Sequence, residues 1–258
     1  MHDPASNAAQ LASPSYVLPA LDQDFLLAEA QRGVRFLLEY EKAEQALRRW
    51  AVRSTIVVFG SARVREDGPG RQASWYAAAR EFGRLASLNG GALRANQGGR
   101  DNVIATGGGP GLMEAANRGA AEAGAPSIGF NIRLPHEQEP NAYSTPDLTF
   151  LFHYFAMRKM HLAMRANALV VFPGGFGTFD ELFEVLALMQ TNKMRTIPVV
   201  LFDEQYWRSV VHFDTLVETG MVSRAELDLL SFADTPAALW DLIAKADGIA
   251  LPPPKGTP

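Results

Sequence analysis

The sequence predicts an α/β protein: a doubly wound parallel sheet with helices on both faces, preceded by a helical N-terminal extension. Three observations carry this. From residue 54 onward, short apolar runs rich in β-branched residues alternate with amphipathic helical stretches, the pattern of a parallel sheet covered on both sides. Three of the runs stop at small or glycine-rich turns: Gly60-Ser61, Gly107 to Gly111, and Gly174 to Thr178. In a parallel sheet these turns all fall along one edge, beyond the carboxyl ends of the strands, where ligands bind.

The elements follow in order. Residues 1–20 are rich in Ala, Ser, Pro and Asn and read as a flexible lead. Over 22–51, Phe25, Leu26, Val34, Leu37, Leu38, Leu47 and Trp50 recur at helical spacing among charges, with Gly33 a candidate break into two helices. Residues 1–52 are thus expected to form a lead and helical extension packed on the main domain, 53–247 the main domain, and the proline-rich 248–258 an extended tail. Within the main domain the predicted strands are 55–59, 103–106, 127–132, 148–152, 168–172 and 197–202. The helical stretches are 72–88, 111–124, 154–166 and 179–191, with further helices to about 246. Crossovers are expected to be right-handed.

Composition narrows the function. The chain has 258 residues, 47% of them hydrophobic, and a formal net charge of −4, an ordinary globular profile with no global basic field for nucleic acid. There is no cysteine. Disulfides, thiolate metal sites and cysteine nucleophiles are excluded together. The five histidines show no metal-binding spacing. No apolar run approaches the ~18 residues of a membrane span, and the first residues lack the basic and apolar regions of a signal peptide. A cytoplasmic location, no metal and no cofactor are expected.

The chemistry is expected at the glycine loops. Thr106-Gly107-Gly108-Gly109-Pro110-Gly111-Leu112-Met113-Glu114 feeds a strand into a helix start, where free N–H groups suit a phosphate; Gly108 and Gly109 lie at its centre. It fits neither common nucleotide fingerprint, lacking the Lys of one and carrying Leu112 where the other needs Gly. A tight packing turn is the other reading. Pro173-Gly174-Gly175-Phe176-Gly177-Thr178-Phe179-Asp180-Glu181 repeats the arrangement. Here Thr178-x-x-Glu181 matches a capping box, so Glu181 is either a structural cap or a catalytic carboxylate. On the preceding helix, Arg158 and Arg165 share a face, either solvated or reaching a phosphate or ribose. Lys159 is a surface lysine or, less well supported, a Schiff-base lysine. Ser61, ending the first strand, sits where a small residue contacts ligand. No serine-hydrolase elbow is present.

The segments TGGGPGLMEAANRGA at 106–120 and PGGFGTFDELFE at 173–184, with Met157-Arg158-Lys159 between them, resemble the Lonely Guy (LOG) family, whose members are often labelled lysine decarboxylases. The resemblance covers roughly residues 54–245. It implies a Rossmann-like fold and phosphoribohydrolase activity on nucleoside 5′-monophosphates, including cytokinin ribotides. The implied catalytic residues are Arg158 and Glu181. The implied substrate contacts are Met157, Arg158, Glu114, and the loop Gly174, Gly175, Phe176, Gly177, Thr178, Phe179 and Asp180, with Glu114 holding ribose hydroxyls. It also implies a homodimer or higher homo-oligomer, for which the helical extension and Tyr206, Trp207, Phe213, Phe232 and Trp240 offer apolar surface unless they pack the core.

Three departures stand out. The connection 89–100 is longer than the usual family connection and reads as a lid or a disordered insert. The extension at 1–52 is absent from the shortest members. Asp180 stands where many members have Glu. Two other functions remain open: a nucleotide or molybdopterin carrier on the same fold, and a pyridoxal-phosphate decarboxylase, which predicts visible-range absorbance.

Overall fold

A computed structural model describes residues 6–94, 98–134 and 139–246. The expected tail at 248–258 lies outside them, as do residues 95–97 of the 89–100 connection. The chain divides into two compact units, residues 1–42 and 43–258. In the first, α1 (Ala8–Leu11) and α2 (Gln23–Leu27) precede α3 (Arg32–Arg49), which runs on into the second. The break in this stretch falls at Ala28, which adopts an extended backbone (ψ 146), and not at Gly33, which lies inside α3. No described residue of the first unit is buried.

The described residues of the second unit form seven strands: β1 (Thr55–Phe59), β2 (Val103–Thr106), β3 (Ser127–Ile132), β4 (Thr149–Phe152), β5 (Ala166–Val171), β6 (Val199–Phe202) and β7 (Leu230–Ala233). All pair in parallel, in the order β4-β3-β2-β1-β5-β6-β7. Its helices are α4 (Gln72–Asn89), α5 (Leu112–Glu122), α6 (Phe155–Met164), α7 (Phe176–Gln190), α8 (Glu204–Val210), α9 (Phe213–Glu218), α10 (Arg224–Leu227) and α11 (Pro236–Ala246). The chain builds outward from β1 to β4, returns to β1 with β5, and builds outward again. That reversal is a topological switch point, and it opens a crevice beyond the carboxyl ends of β1 and β5.

Successive residues of β1 face opposite cores. Val57 and Phe59 join one apolar cluster with Leu169 and Leu182; Ile56 and Val58 join the other with Phe82, Leu112 and Trp240. The six expected strands are all present, and β7 is a seventh where only helix was expected. Trp207, Phe213 and Trp240 are buried, so they pack the core. The described flanks of the 89–100 connection form no lid. Residue 100 pairs with 52 at the amino ends of the strands, away from the glycine turns, and Arg100 Nη1 donates to the Ala92 carbonyl at 2.8 Å.

The tightest helix contact is between α4 and α5. A Cβ on Gly119 would lie 1.9 Å from the Arg80 carbonyl oxygen, and one on Gly83 would lie 2.2 Å from that of Ala116. Both obstacles are backbone, so the helices themselves would have to separate. Gly119→Ala is therefore expected to lose about 1–3 kcal/mol despite alanine's better helix propensity. Thermal unfolding checks this. A midpoint unchanged or raised would refute the close crossing.

Candidate active site

A cleft of about 850 Å³ opens at the switch point, a size that suits a small-molecule ligand. Its walls come from the three expected turns: Phe59 to Val64 after β1, Gly107 and Gly109 after β2, and Pro173 to Glu181 after β5. The loops are tied together by backbone. Leu112 N–H donates to the Ser61 carbonyl at 3.1 Å, and Ser61 N–H to the Pro173 carbonyl at 3.0 Å. Gly111 has φ +72, and a Cβ there would lie 2.4 Å from the Ser61 carbonyl oxygen, so only glycine allows this approach. A buried polar chain backs the β2 loop. Thr106 Oγ1 and Asn141 Nδ2 both donate to Asn117 Oδ1, at 2.7 and 3.0 Å, and Asn141 Nδ2 also reaches the Gly109 carbonyl at 3.1 Å.

The β5 loop leads directly into α7. The helix starts at Phe176 with Gly175 as N-cap, and no side chain caps it. Thr178 is thus the third residue of the helix rather than its cap, and the capping box expected from Thr178-x-x-Glu181 is not formed. Thr178 Oγ1 turns back over Gly174, where a Cβ would meet it at 2.1 Å. The helix's first N–H groups, at Phe176 and Gly177, have no intrahelical acceptor.

Glu181 instead pairs across the cleft floor. It is 5% exposed, and Arg158 Nη1 donates to its Oε1 at 2.8 Å. Arg158 is 7% exposed. Its Nε donates to the Phe130 carbonyl at 2.8 Å, and its guanidinium lies over the Phe59 ring at 5.8 Å from the centroid. Gly107 makes room for it, since a Cβ there would fall 2.7 Å from Nη2. Burial pushes the Glu181 carboxyl above its ordinary value, and the charges of Arg158 and Lys159 only partly pull it back. The site therefore holds a desolvated carboxylate steered by a fixed guanidinium, an arrangement able to stabilise developing positive charge and to accept a proton.

Lys159 does not line the cleft. Its Nζ pairs with Asp180 Oδ2 at 2.9 Å and with Glu184, and lies 4.0 Å from Glu181 Oε2. Burial alone would lower this ammonium, but its bonds to Asp180 and Glu184 outweigh it and hold the pKa above the ordinary value. A lysine held charged in this way is a poor Schiff-base nucleophile.

Ser61, Gly109, Arg158 and all of Gly174 to Glu181 line the cleft, with Phe176 at 96% exposure on its rim. Gly108, Glu114 and Met157 do not. Gly108 N–H donates to Thr106 Oγ1, Glu114 accepts from Tyr76 Oη at 2.8 Å, and Met157 packs against the core. Arg165, expected beside Arg158, instead binds the buried Glu44 through Nη2. Gly107, within the expected glycine turn, also lines the cleft. The sequence reading missed Arg63, Trp75, Asn131 and Tyr206, all lining residues. Only Arg63, two residues after Ser61, carried a local signal. Among the described residues, no group of three or more His, Asp or Glu could hold a metal ion, and no helix is long and apolar enough to cross a membrane.

Residues 113–243 match the family model described as "Possible lysine decarboxylase". The chain is 28% identical over 195 residues to a rice (Oryza sativa subsp. japonica) protein named "Probable cytokinin riboside 5'-monophosphate phosphoribohydrolase LOGL5", covering 74% of this chain and 72% of the relative. It is 27% identical over 149 residues to a second rice protein, LOG4, described with the same activity, covering 56% of this chain and 63% of the relative. The chain thus spans less than two thirds of LOG4. The X-ray structure of TM1055 shares the fold, with a TM-score of 0.52 at 21% identity over 74% of this chain and 99% of that one.

Proposed function

The chain belongs to the Lonely Guy family, the family described as possible lysine decarboxylase, and from that membership we propose that it is a phosphoribohydrolase of nucleoside 5′-monophosphates. Water would replace the base at C1′, giving free base and ribose 5-phosphate. The observation that carries this reading is the buried Arg158–Glu181 pair in the floor of a glycine-walled cleft.

Cleaving an N-glycosidic bond builds positive charge on the ribose, in an oxocarbenium-like transition state. Glu181 would stabilise that charge and take the proton of the attacking water. Arg158, held by the Phe130 carbonyl, would fix the Glu181 oxygen it binds, and Lys159 Nζ, 4.0 Å from the other, would share in holding the carboxylate's charge. The Gly174–Gly177 backbone at the start of α7 would receive the 5′-phosphate, with Ser61, whose N–H bonds the Pro173 carbonyl, beside it; Arg63 also lines the cleft. Phe176, on the rim, would cover the base.

The test is chromatographic: purified protein with AMP, scored for adenine and ribose 5-phosphate. Turnover of adenosine should be lower by at least about a hundredfold in kcat/KM, because the phosphate contacts supply the binding energy that positions C1′. Equal turnover of AMP and adenosine would contradict the assignment. Binding of AMP without base release would favour a carrier on the same fold.

A further inference from the structure

Asp203 is a buried charge beside the cleft that the chemistry above does not use. It follows β6 directly, is 2% exposed, and adopts φ 73, ψ 79, a left-handed backbone found mainly at glycine, asparagine and aspartate. Both carboxylate oxygens are committed. Oδ1 accepts the Tyr206 N–H at 3.0 Å and caps α8. Oδ2 accepts the indole N–H of Trp75 at 2.7 Å and pairs with the Arg71 guanidinium. Capping a seven-residue helix does not call for a buried charge, since serine or asparagine serves as well. The left-handed turn and the second oxygen let one residue hold α4 and α8 together.

Trp75 and Tyr206 both line the cleft and meet edge to face, with centroids 5.7 Å apart at 70°. Tyr206 Oη donates to the Gly174 carbonyl at 2.8 Å. Burial raises the phenol above its ordinary pKa, so the hydroxyl keeps its proton and remains a donor. In a planar trans peptide the C=O and the following N–H point in opposite directions. Fixing the Gly174 carbonyl therefore also fixes the Gly175 N–H.

We propose that Asp203 is a positioning residue for the phosphate end of the cleft: through Trp75 and Tyr206 it sets the orientation of the Gly174–Gly175 peptide. This rests on the nucleoside monophosphate reading of the cleft. Asp203 touches no substrate; it acts by holding the Trp75 indole and the Tyr206 backbone, and Trp75 in turn packs edge to face on the Tyr206 ring.

Two variants test it. Tyr206→Phe removes one hydroxyl and keeps the ring. Asp203→Asn suits the left-handed backbone and keeps the cap, but its amide nitrogen cannot accept the Trp75 N–H. In each, the Kd for ribose 5-phosphate and the KM for AMP should rise about three- to tenfold, the worth of one hydrogen bond, while kcat and the Kd for adenine stay near wild type. Asp203→Asn also gives up the Arg71 ion pair and is expected to lower the melting temperature; Tyr206→Phe is not. In ligand-free Tyr206→Phe, NMR should find faster amide exchange at Gly175. Unchanged ribose 5-phosphate affinity with unchanged Gly175 exchange would overturn the proposal, as would, in Tyr206→Phe, a fall in kcat in step with a lowered melting temperature, the mark of a merely structural role. Wild-type protein that fails to release adenine would refute the functional reading instead. Gly175 exchange would then still decide whether the brace exists.

Discussion

Glu181→Gln is expected to bind AMP with near wild-type affinity and to lose about 10²- to 10⁴-fold in kcat, the range for removing a positioned acid–base group. The substitution is well suited to the geometry. Glutamine keeps the shape of the side chain, and its carbonyl can still accept Arg158 Nη1–H where Glu181 Oε1 now does at 2.8 Å. Only the charge and the basic oxygen are lost. The proposed phosphate contacts lie in the Gly174–Gly177 backbone, which the substitution leaves alone. A drop in kcat with unchanged binding is the signature of an interaction made only in the transition state. Wild-type enzyme should also show an acid limb in kcat/KM above the ordinary carboxyl value of 4.5, because burial raises Glu181. Turnover should rise as pH climbs through that limb, where the carboxylate forms. Undiminished turnover in Glu181→Gln, or an acid limb at or below the ordinary value, would remove Glu181 from the mechanism.

The sheet was legible because parallel strands buried on both faces read as continuous apolar runs. Thr55-Ile56-Val57-Val58-Phe59 is such a run, and all five residues are buried. Leu230-Ser231-Phe232-Ala233 is not. As the edge strand β7 it is only partly covered through Phe232, and its polar Ser231 broke the pattern. The convergence of the glycine turns followed from strand direction alone. What local spacing could not give was partner choice. Thr178 and Glu181 have capping-box spacing, but the helix begins earlier, at Phe176. Glu181 is then drawn to Arg158, 23 residues away in sequence, by a charge pairing that only the β5 crossover creates. Arg165 went astray for the same reason. Helical geometry put it on the face of Arg158, yet it ends α6 and turns to Glu44 on α3, 121 residues away. Trp75 and Tyr206 sit in ordinary amphipathic helices, and nothing nearby in sequence marks them as cleft residues.

Arg158→Met should abolish turnover and destabilise the fold by about 3–5 kcal/mol near neutral pH, the cost of removing one partner from a buried ion pair. Methionine fills much of the space, so cavity formation is a small part of the loss. Two polar groups are stranded instead: the Phe130 carbonyl that accepts Arg158 Nε–H, and the Glu181 carboxylate. The second makes the loss depend on pH in a defined direction. Burial already raises Glu181, and Arg158 is the leading influence that lowers it. Without Arg158 the folded-state pKa climbs further above its unfolded value. Stability from a raised carboxyl is fully present below the unfolded pKa and is lost as pH rises through the folded one. The difference between variant and wild type should therefore be smallest in acid, where Glu181 can protonate in place, and should grow as pH rises through and beyond the carboxylate range. Urea unfolding of both proteins across that range measures the difference directly. The Phe130 carbonyl contributes a constant offset. The double variant Arg158→Met/Glu181→Gln should be nearly flat in pH and more stable than Arg158→Met alone at neutral pH, because no buried charge is left unpaired. A pH-independent difference between Arg158→Met and wild type, or no recovery in the double variant, would mean that Glu181 does not depend on Arg158 for its charge, and the pair at the centre of the proposed chemistry would have to be given up.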